Sequence, residues 1–311
     1  MKPEIYAKAS LTHEQISTKE KIGCDGIEVQ LLNELVSNRN RGSYRKATDA
    51  FNLNELGKYN VKVVHAPIIK GQGDVTLEVL VDNKDIFLLT QIFAIADFYG
   101  KLYNRQCIVV VHSESYYDII SDIGDVWNRI VDSLSGLLGI YQNVDLVIEN
   151  VSPFRGIDNI GKLHLANNFG FDNITMVTKL REELNTDRIG TCLDTCHAML
   201  ANKYISILYD AIEDLPREDF SLERYFRENK ELIKLVHLSN IKDSGYGKGK
   251  HGIPFNEESY FLLKSILGYY EKYNYSVPIT LEVEETNYDI SDGYKSTKDL
   301  VDRYYAEKAK E

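Results

Sequence analysis

Eight short apolar runs, rich in β-branched residues, recur along this 311-residue chain, and each is followed by a longer segment with helical periodicity. Alternating strands and helices of this kind predict a parallel sheet. The predicted strands are Ile5–Ser10, Gly26–Leu31, Val61–Ala66, Cys107–His112, Leu146–Asn150, Ile189–Asp194, Leu235–Leu238 and Ile279–Val283. Eight such units predict an α/β fold, a (β/α)8 TIM barrel, with residues 1–311 forming a single domain.

The predicted helical segments lie between these strands. They are Thr12–Ile22, Tyr44–Tyr59, Asp85–Tyr99, Asp118–Tyr141, Ile174–Leu184, Tyr204–Ile212 with Ser221–Asn229, Glu257–Tyr273 and Ser296–Ala309. The alternative is a doubly wound open sheet, which needs fewer strands and usually a Gly-rich phosphate loop. No G-x-G-x-x-G or Walker-type loop follows any predicted strand, so the barrel is preferred.

Composition narrows the classes of partner. No run approaches the ~18 consecutive apolar residues that a membrane span requires. The first residues lack an apolar signal core, so we expect a cytoplasmic protein. A net charge of −11 argues against broad binding of nucleic acid, which needs local positive charge. Four cysteines in a chain of this length do not indicate a disulfide framework.

Ionisable residues end six successive predicted strands, at intervals of 37 to 47 residues. They are His65, His112, Glu149, Asp194, His237 and Glu282. The carboxyl ends of barrel strands meet at one mouth, so these side chains should lie together. Strand alternation places a second set one layer below them: Val63, Val110, Val147, Cys192, Leu235 and Thr280. The pattern predicts three histidines and three carboxylates above a mostly apolar plug.

Clustered carboxylates repel each other unless a cation offsets them. Mixed His, Asp and Glu ligands suit Zn²⁺, Mn²⁺ or Fe²⁺, and Zn²⁺ is our first expectation. His197 and His251 follow strands six and seven and join the same predicted rim. The alternative for each residue taken singly is a hydrogen-bonded core histidine or a loop salt bridge. In the run "GTCLDTCHAML", Cys192 and Cys196 lack the spacing of a zinc or redox motif, so the aspartate and the histidine are the expected functional residues.

Several short runs carry a family resemblance: "VHAP", "IEN", "CLDTCHAM", "HLSN" and "LEVE". Together they resemble the xylose isomerase-like TIM barrel superfamily, and most closely its endonuclease IV branch (AP endonuclease family 2). The resemblance implies a multi-metal phosphoester hydrolase. It assigns His65, His112 and Glu149 to a first ion, and Glu149, Asp194, His237 and Glu282 to a second, with Glu149 bridging.

The same resemblance assigns His197 and His251 to a third ion. Gly249 stands where that branch has an aspartate, and "HLSN" stands in place of "HLND". We therefore expect two ions and leave the third in doubt, although Asp243 could substitute for the missing ligand.

A second branch of the superfamily, the sugar isomerases and epimerases, implies a different chemistry. That branch keeps one ion on a set that maps onto Glu149, Asp194, His237 and Glu282. Glu149 and Glu282 would then exchange a proton on the two faces of a substrate carbon. A metal-binding barrel without catalysis is the third alternative. The extra histidines favour the hydrolase, and Glu28 is expected to form a salt bridge.

Basic residues near the predicted mouth bear on the substrate. The loop "SNRNRGSYRKA" carries Arg39, Arg41 and Arg45, and Lys250 adjoins His251. These four are candidate contacts to a phosphate backbone, with an ordinary solvated loop as the alternative. We expect a phosphoester or a small sugar as substrate. DNA is possible but the net charge does not support it, and no pattern indicates an oligomeric state.

Overall fold

The structure of the chain is a computed structural model. It describes residues 2–32, 34–38, 43–52, 55, 57–67, 83–112, 123–151, 154–157, 163–165, 173–211, 219, 221–242 and 250–310.

Eight parallel strands close into a barrel, which confirms the predicted TIM-barrel architecture. The strands are β1 Ile5–Ser10, β2 Gly26–Gln30, β3 Val36–Asn38, β4 Ser43–Tyr44, β5 Val61–His65, β6 Cys107–His112, β7 Val144–Glu149, β8 Phe154–Ile157, β9 Leu163–Leu165, β10 Ile189–Asp194, β11 Ile233–Leu238, β12 Asn240–Lys242, β13 Lys250–Ile253 and β14 Ile279–Leu281. The strand order around the barrel is β1-β14-β11-β10-β7-β6-β5-β2, and the barrel closes where β1 pairs with β2. Closure excludes the doubly wound open sheet.

The remaining six strands form three antiparallel pairs: β3 with β4, β8 with β9, and β12 with β13. Helices connect the barrel strands. They are His13–Ile22, Ala47–Ala50, Asn83–Tyr103, Ile123–Ile140, Asn173–Leu184, Thr195–Ala211, Leu222–Glu228, Tyr260–Lys272 and Asp292–Lys308. Every predicted strand of the barrel is found within two residues of its expected bounds.

The helix predicted over Tyr44–Tyr59 is wrong. Tyr44 lies in β4, and the helix that begins at Ala47 ends at Ala50. It ends there because Phe51 adopts extended backbone, with φ −134° and ψ 142°. Asn52, Gly57 and Asn60, which favour turns over helix, lie in the stretch that follows.

The helix predicted to begin at Tyr204 begins at Thr195, directly after β10. Asp194 supports this early start, because its Oδ1 accepts a hydrogen bond of 2.7 Å from the backbone N–H of His197. A carboxylate that bonds an N–H of the first turn is a helix N-cap, so one aspartate both ends the strand and begins the helix. The other helices differ from their predicted bounds by five residues or fewer.

Two apolar layers build the core. The larger layer lies between the outer faces of the strands and the helices. The smaller layer fills the barrel and consists of Tyr6, Val63, Val110, Val147, Cys192 and Leu235. This confirms the predicted plug for five residues and adds Tyr6. The sixth, Thr280, is also buried, and its hydroxyl donates to Glu28 at 2.8 Å.

One segment of the described chain, Ile86–Tyr103, is long and apolar enough by length and composition to cross a membrane. Half of this segment is buried, and its helix packs on β5, β6 and β7. Contact with the barrel accounts for its apolar character, because a helix on a parallel sheet buries one face against the strands.

Candidate metal centre

Four ligand-bearing side chains converge at the carboxyl ends of neighbouring barrel strands. Glu149 ends β7, Asp194 ends β10, His237 lies in β11, and Glu282 follows β14. One ligand atom from each lies within 4.8 Å of those of the other three. The strands are consecutive in the barrel order, which explains why residues so distant in sequence meet. The Glu282 side chain is 17% exposed, whereas the other three are nearly inaccessible, so the cluster is reached from the mouth.

His237 is held by a carboxylate behind it. Its Nε2 lies 3.0 Å from Oε2 of the buried Glu28, so Nε2–H donates to that oxygen. Its Nδ1 lies 2.7 Å from Glu282 Oε2 and 3.3 Å from Glu149 Oε2. Metal-binding histidines commonly donate their second N–H to a carboxylate, which fixes the ring and the tautomer. The arrangement presents Nδ1 of His237 as a ligand atom.

His65 and His112 join Glu149 in a second group, whose ligand atoms also lie within 4.8 Å of one another. Nδ1 of His65 lies 2.8 Å from the Ala66 carbonyl oxygen and donates to it. Its Nε2 then faces Glu149 Oε2 at 3.3 Å, and Nε2 of His112 lies 3.6 Å from the same oxygen. Glu149 is therefore shared between the two groups.

Asn150 holds the junction of β10 and the helix whose first turn carries His197. Its side-chain amide accepts from the Asp194 backbone N–H at 2.7 Å and donates to the Asp194 carbonyl at 2.9 Å. Its own carbonyl accepts from Nδ1 of His197 at 2.8 Å. The ring of His251 packs edge-on to that of His197, with centroids 5.5 Å apart, and His251 is exposed. The pair predicted for a third ion is thus brought together at the rim.

Burial opposes ionisation of every carboxyl group in the centre, but the outcome differs among them. Burial raises the pKa of Asp194. For Glu149 and Glu282 the neighbouring cations outweigh burial. His237 holds the pKa of Glu149 well below its usual range, and Lys8 with His237 does the same for Glu282. Glu149 and Glu282 are therefore both ionised, with ligand atoms within 4.8 Å of each other.

The histidines divide in the same way. Burial lowers the pKa of His112 to about 3, so this ring is neutral. Burial also opposes charge on His197 and His237, but nearby carboxylates outweigh it. Asp194 and Glu149 raise the pKa of His197 to about 10, and Glu28, Glu282 and Glu149 raise that of His237 well above its usual range. For His237, whose Nε2–H donates to Glu28, the proton on Nδ1 occupies the position that a metal ion would take.

A divalent cation fits the donor set. Among the described residues, His237 Nδ1, Glu282 Oε2 and Glu28 Oε1 are buried and make no hydrogen bond. Buried polar atoms are ordinarily paired, so such atoms at one point call for another partner. Imidazole nitrogens mixed with carboxylate oxygens suit Zn²⁺, Mn²⁺ or Fe²⁺.

Sequence reasoning missed Lys8 and gave Glu28 only a salt bridge. Nζ of Lys8 lies 2.5 Å from Glu282 Oε1 and 3.5 Å from Glu28 Oε1. The register pairs Lys8 with Glu28 across β1 and β2, and both point into the barrel. Strand alternation could have predicted that Lys8 points into the barrel, because residues two apart share a face and Tyr6 lies in the plug. The salt bridge predicted for Glu28 is confirmed.

Several residues singled out from the sequence do not join the centre in the described structure. Arg39, Arg41, Asp243 and Gly249 lie outside the described residues. Lys250 begins β13, and Arg45 is exposed. Cys192 lies in the plug beneath the centre, where burial raises the pKa of its thiol. Its proximity to Glu149 and His237 leaves it able to approach a metal, but as a protonated thiol it is a small apolar residue.

The family model for the xylose isomerase-like TIM barrel matches residues 20–304. The chain belongs to this family. No curated protein matches the sequence significantly. Solved structures match over nearly the whole chain at low identity. A D-tagatose 3-epimerase-like protein is 15% identical, covering 98% of this chain and 99% of its own, with a TM-score of 0.57.

Two further structures extend the comparison. The 3-keto-D-glucoside 4-epimerase of E. coli is 11% identical, with 98% of this chain and 100% of its own covered and a TM-score of 0.55. The zinc-bound IolI protein is 15% identical, with 97% and 99% covered and a TM-score of 0.57. At such identities the likeness establishes the barrel fold, and substrates stay with the proteins that are named for them.

Proposed function

We propose that this protein is a metal-dependent sugar isomerase or epimerase, which was the second of the two enzymatic hypotheses. One observation carries the proposal. Two ionised glutamates, one aspartate and one histidine direct ligand atoms to a single point at the barrel mouth, within 4.8 Å of one another. The similar structures named above include two sugar epimerases or epimerase-like proteins, and none of the three supports a phosphoester or DNA substrate.

Glu149, Asp194, His237 and Glu282 would hold one divalent ion, with Zn²⁺ as the first candidate. When bound, such an ion polarises a substrate carbonyl and stabilises the negative charge that develops on its oxygen. Glu28 holds the His237 ring through Nε2, and Asn150 holds the Asp194 backbone on both sides. These partners fix the ligands before substrate arrives, which is what a preorganised site requires.

The two glutamates supply acid and base. Either carboxylate can remove the proton from the carbon beside the carbonyl, and the other can return a proton to the opposite face. Removal from one face and return to the other inverts that carbon. Both pKa values are held below their usual range, so both groups begin as carboxylates. The donor must first take a proton from a substrate hydroxyl, and the base returns the proton it removed from carbon to that oxygen.

The substrate class follows from the same chemistry. A proton leaves carbon readily only beside a carbonyl, so the substrate must carry an aldehyde or a ketone, as sugars and keto sugars do. The similar structures include a D-allulose 3-epimerase in complex with D-allulose, 12% identical with a TM-score of 0.54. We therefore propose free ketohexoses and 3-keto glycosides as the first substrates to test.

The test is turnover of a ketohexose panel by protein loaded with Zn²⁺, Mn²⁺ or Co²⁺, with the epimers separated by chromatography. Glu149→Gln should abolish turnover, because general acid–base catalysis alone contributes about 10²- to 10⁴-fold. Glu258→Gln is the matched control, since it makes the same chemical change at an exposed glutamate. Equal loss in both variants, or no turnover with any metal, would reject the proposal.

The hydrolase keeps one observation in its favour, the second group of His65, His112 and Glu149. A two-ion centre bridged by Glu149 would suit attack on a phosphodiester. This alternative predicts two ions per chain and cleavage of an abasic-site oligonucleotide or of a simple phosphodiester. It also predicts that His65→Ala abolishes activity, whereas a one-ion epimerase should keep most of its turnover in that variant.

A further inference from the structure

Four charged or ionisable side chains form a closed ring at the base of the mouth. Lys8 Nζ contacts Oε1 of Glu28 and of Glu282, at 3.5 and 2.5 Å. His237 contacts the other oxygen of each, with Nε2 3.0 Å from Glu28 Oε2 and Nδ1 2.7 Å from Glu282 Oε2. Each carboxylate thus gives one oxygen to the lysine and one to the histidine.

The ring gives the two carboxylate oxygens of Glu282 different partners. Lys8 lies on Oε1 in an ion pair that is only 12% exposed on the lysine side, where solvent screens little. Oε2 faces His237 Nδ1 and makes no hydrogen bond to any described residue. Glu282 therefore offers a single oxygen to a metal ion, although a free carboxylate can bind through both.

We propose that Lys8 is a positioning residue that restricts Glu282 to one-oxygen contact with the metal. A glutamate held by both oxygens would be a poor proton carrier, because its lone pairs would be taken up by the ion. The inference rests on the proposed function for its catalytic consequence. Its consequence for metal binding depends only on the ring.

The charge of Lys8 predicts opposite effects on metal binding and on catalysis. Glu28, Glu149, Asp194 and Glu282 are four carboxylates, and Lys8 is the lysine that pairs with two of them. Lys8 repels a divalent ion while it holds Glu282 in place. Removing its charge should therefore strengthen metal binding and weaken catalysis. A lysine that merely supports packing would lower both, so the opposite signs separate the two roles.

The experiment compares Lys8→Met with wild type by chelator competition for Zn²⁺, by the visible spectrum of the Co²⁺ form, and by kinetics. Metal affinity should rise about tenfold, because a like charge near the ion is removed. The Co²⁺ absorption should lose intensity as Glu282 adds a second ligand oxygen. Turnover number should fall by about 100-fold with little change in KM, since the proton carrier is misplaced.

Lys8→Arg retains the charge and should keep wild-type metal affinity. Lys62→Met is the matched control, because Lys62 is a similarly half-buried lysine, paired with Glu4 at the amino end of β5; it should change neither quantity. If Lys8→Met does not fold, Lys8→Gln gives the same comparison. A parallel fall in metal affinity and turnover, or an unchanged Co²⁺ spectrum, would overturn the inference.

The two proposals fail separately. If wild-type protein turns over no keto sugar, the proposed function is rejected. Tighter metal binding with an altered Co²⁺ spectrum in Lys8→Met would still support the ring's control of Glu282.

Discussion

Glu282 and Glu285 lie three residues apart after β14, and their carboxylates have opposite surroundings. Glu285 is fully partnered. It accepts from Lys19 Nζ at 2.9 Å and from the backbone N–H groups of Gly293 and Tyr294 at 2.7 and 2.8 Å. Glu282 has Lys8 on one oxygen, while the other lies buried 2.7 Å from His237 Nδ1, without a hydrogen bond to the described residues.

The different surroundings of Glu282 and Glu285 assign a structural role to one glutamate and a ligand-binding role to the other. Glu285 binds the first N–H groups of the helix Asp292–Lys308, where a carboxylate is favoured by the helix dipole. Lys19 also lies over the Tyr294 ring at 4.6 Å, and both members of its ion pair are 2% exposed. Glu285, which supports the fold, has hydrogen bonds on both carboxylate oxygens, whereas Glu282 keeps one oxygen without a hydrogen bond, where a ligand could bind.

The largest expected effect is on activity at Glu282. Glu282→Gln should lower turnover by roughly 10³-fold, because one carboxylate would act as both ligand and proton carrier. Its effect on the free energy of unfolding of metal-free protein should be smaller than that of Glu285→Gln, since Lys8 keeps Glu28 as a second counter-charge. Kinetics and urea unfolding measure the two quantities. A large loss of stability would place Glu282 with Glu285 as a structural residue.

The reverse pattern is expected at Glu285. Glu285→Gln leaves the buried Lys19 ammonium without its counter-charge and should cost about 3 kcal/mol of unfolding free energy, or a hundredfold in the folding equilibrium. Turnover per folded molecule should be unchanged. The urea midpoint and active-site titration test this pair of outcomes. Lost turnover in fully folded protein would contradict the separation of the two carboxylates.

Metal binding should depend on pH through the histidines. Asp194 and Glu149 outweigh burial and raise the pKa of His197 to about 10, and carboxylates likewise raise that of His237. A metal ion bound at Nδ1 of His237 must displace a ring proton, so affinity should rise with pH, by about tenfold per unit below the pKa of that ring. Chelator competition from about pH 6 to pH 9 measures the slope. A flat profile would show that no ring proton occupies the site.

An exposed ion pair should have the smallest effect. Arg303 contacts both oxygens of Glu257 at 2.9 and 3.0 Å, but Glu257 is 75% exposed. Solvent screens such a pair. Glu257→Gln should therefore leave the urea midpoint within error of wild type, in contrast to the same change at Glu285. A comparable loss at both positions would show that burial is not what separates them.

Strand alternation and regular spacing were enough to predict the barrel and the convergence of ionisable side chains at its mouth. Each of six strands has an ionisable residue within one position of its carboxyl end, and the carboxyl ends of barrel strands share one mouth. His65, His112 and Glu149 are adjacent because β5, β6 and β7 are neighbours in the barrel order. Strand period and order alone determine these positions.

Features that depend on side-chain geometry were not predictable. Lys8 lies on the first strand, and strand alternation predicts that its side chain points into the barrel. Whether it then pairs with Glu282 or reaches solvent depends on the depth of the mouth. The helix predicted over Tyr44–Tyr59 was wrong because turn-forming residues follow Ala50 and outweigh the local apolar spacing. The choice between epimerase and hydrolase turns on how many ions the histidines bind, and ligand types alone allow both.

The most direct measurement is proton exchange at carbon. Metal-loaded protein is incubated with a ketohexose in D₂O, and deuterium in substrate and product is followed by NMR. Acid–base exchange between Glu149 and Glu282 predicts an epimer carrying one deuterium at the inverted carbon, with no incorporation in Glu149→Gln. Absence of exchange across the ketohexose panel and 3-keto glycosides, with phosphodiester cleavage by the same preparation, would contradict the proposed function.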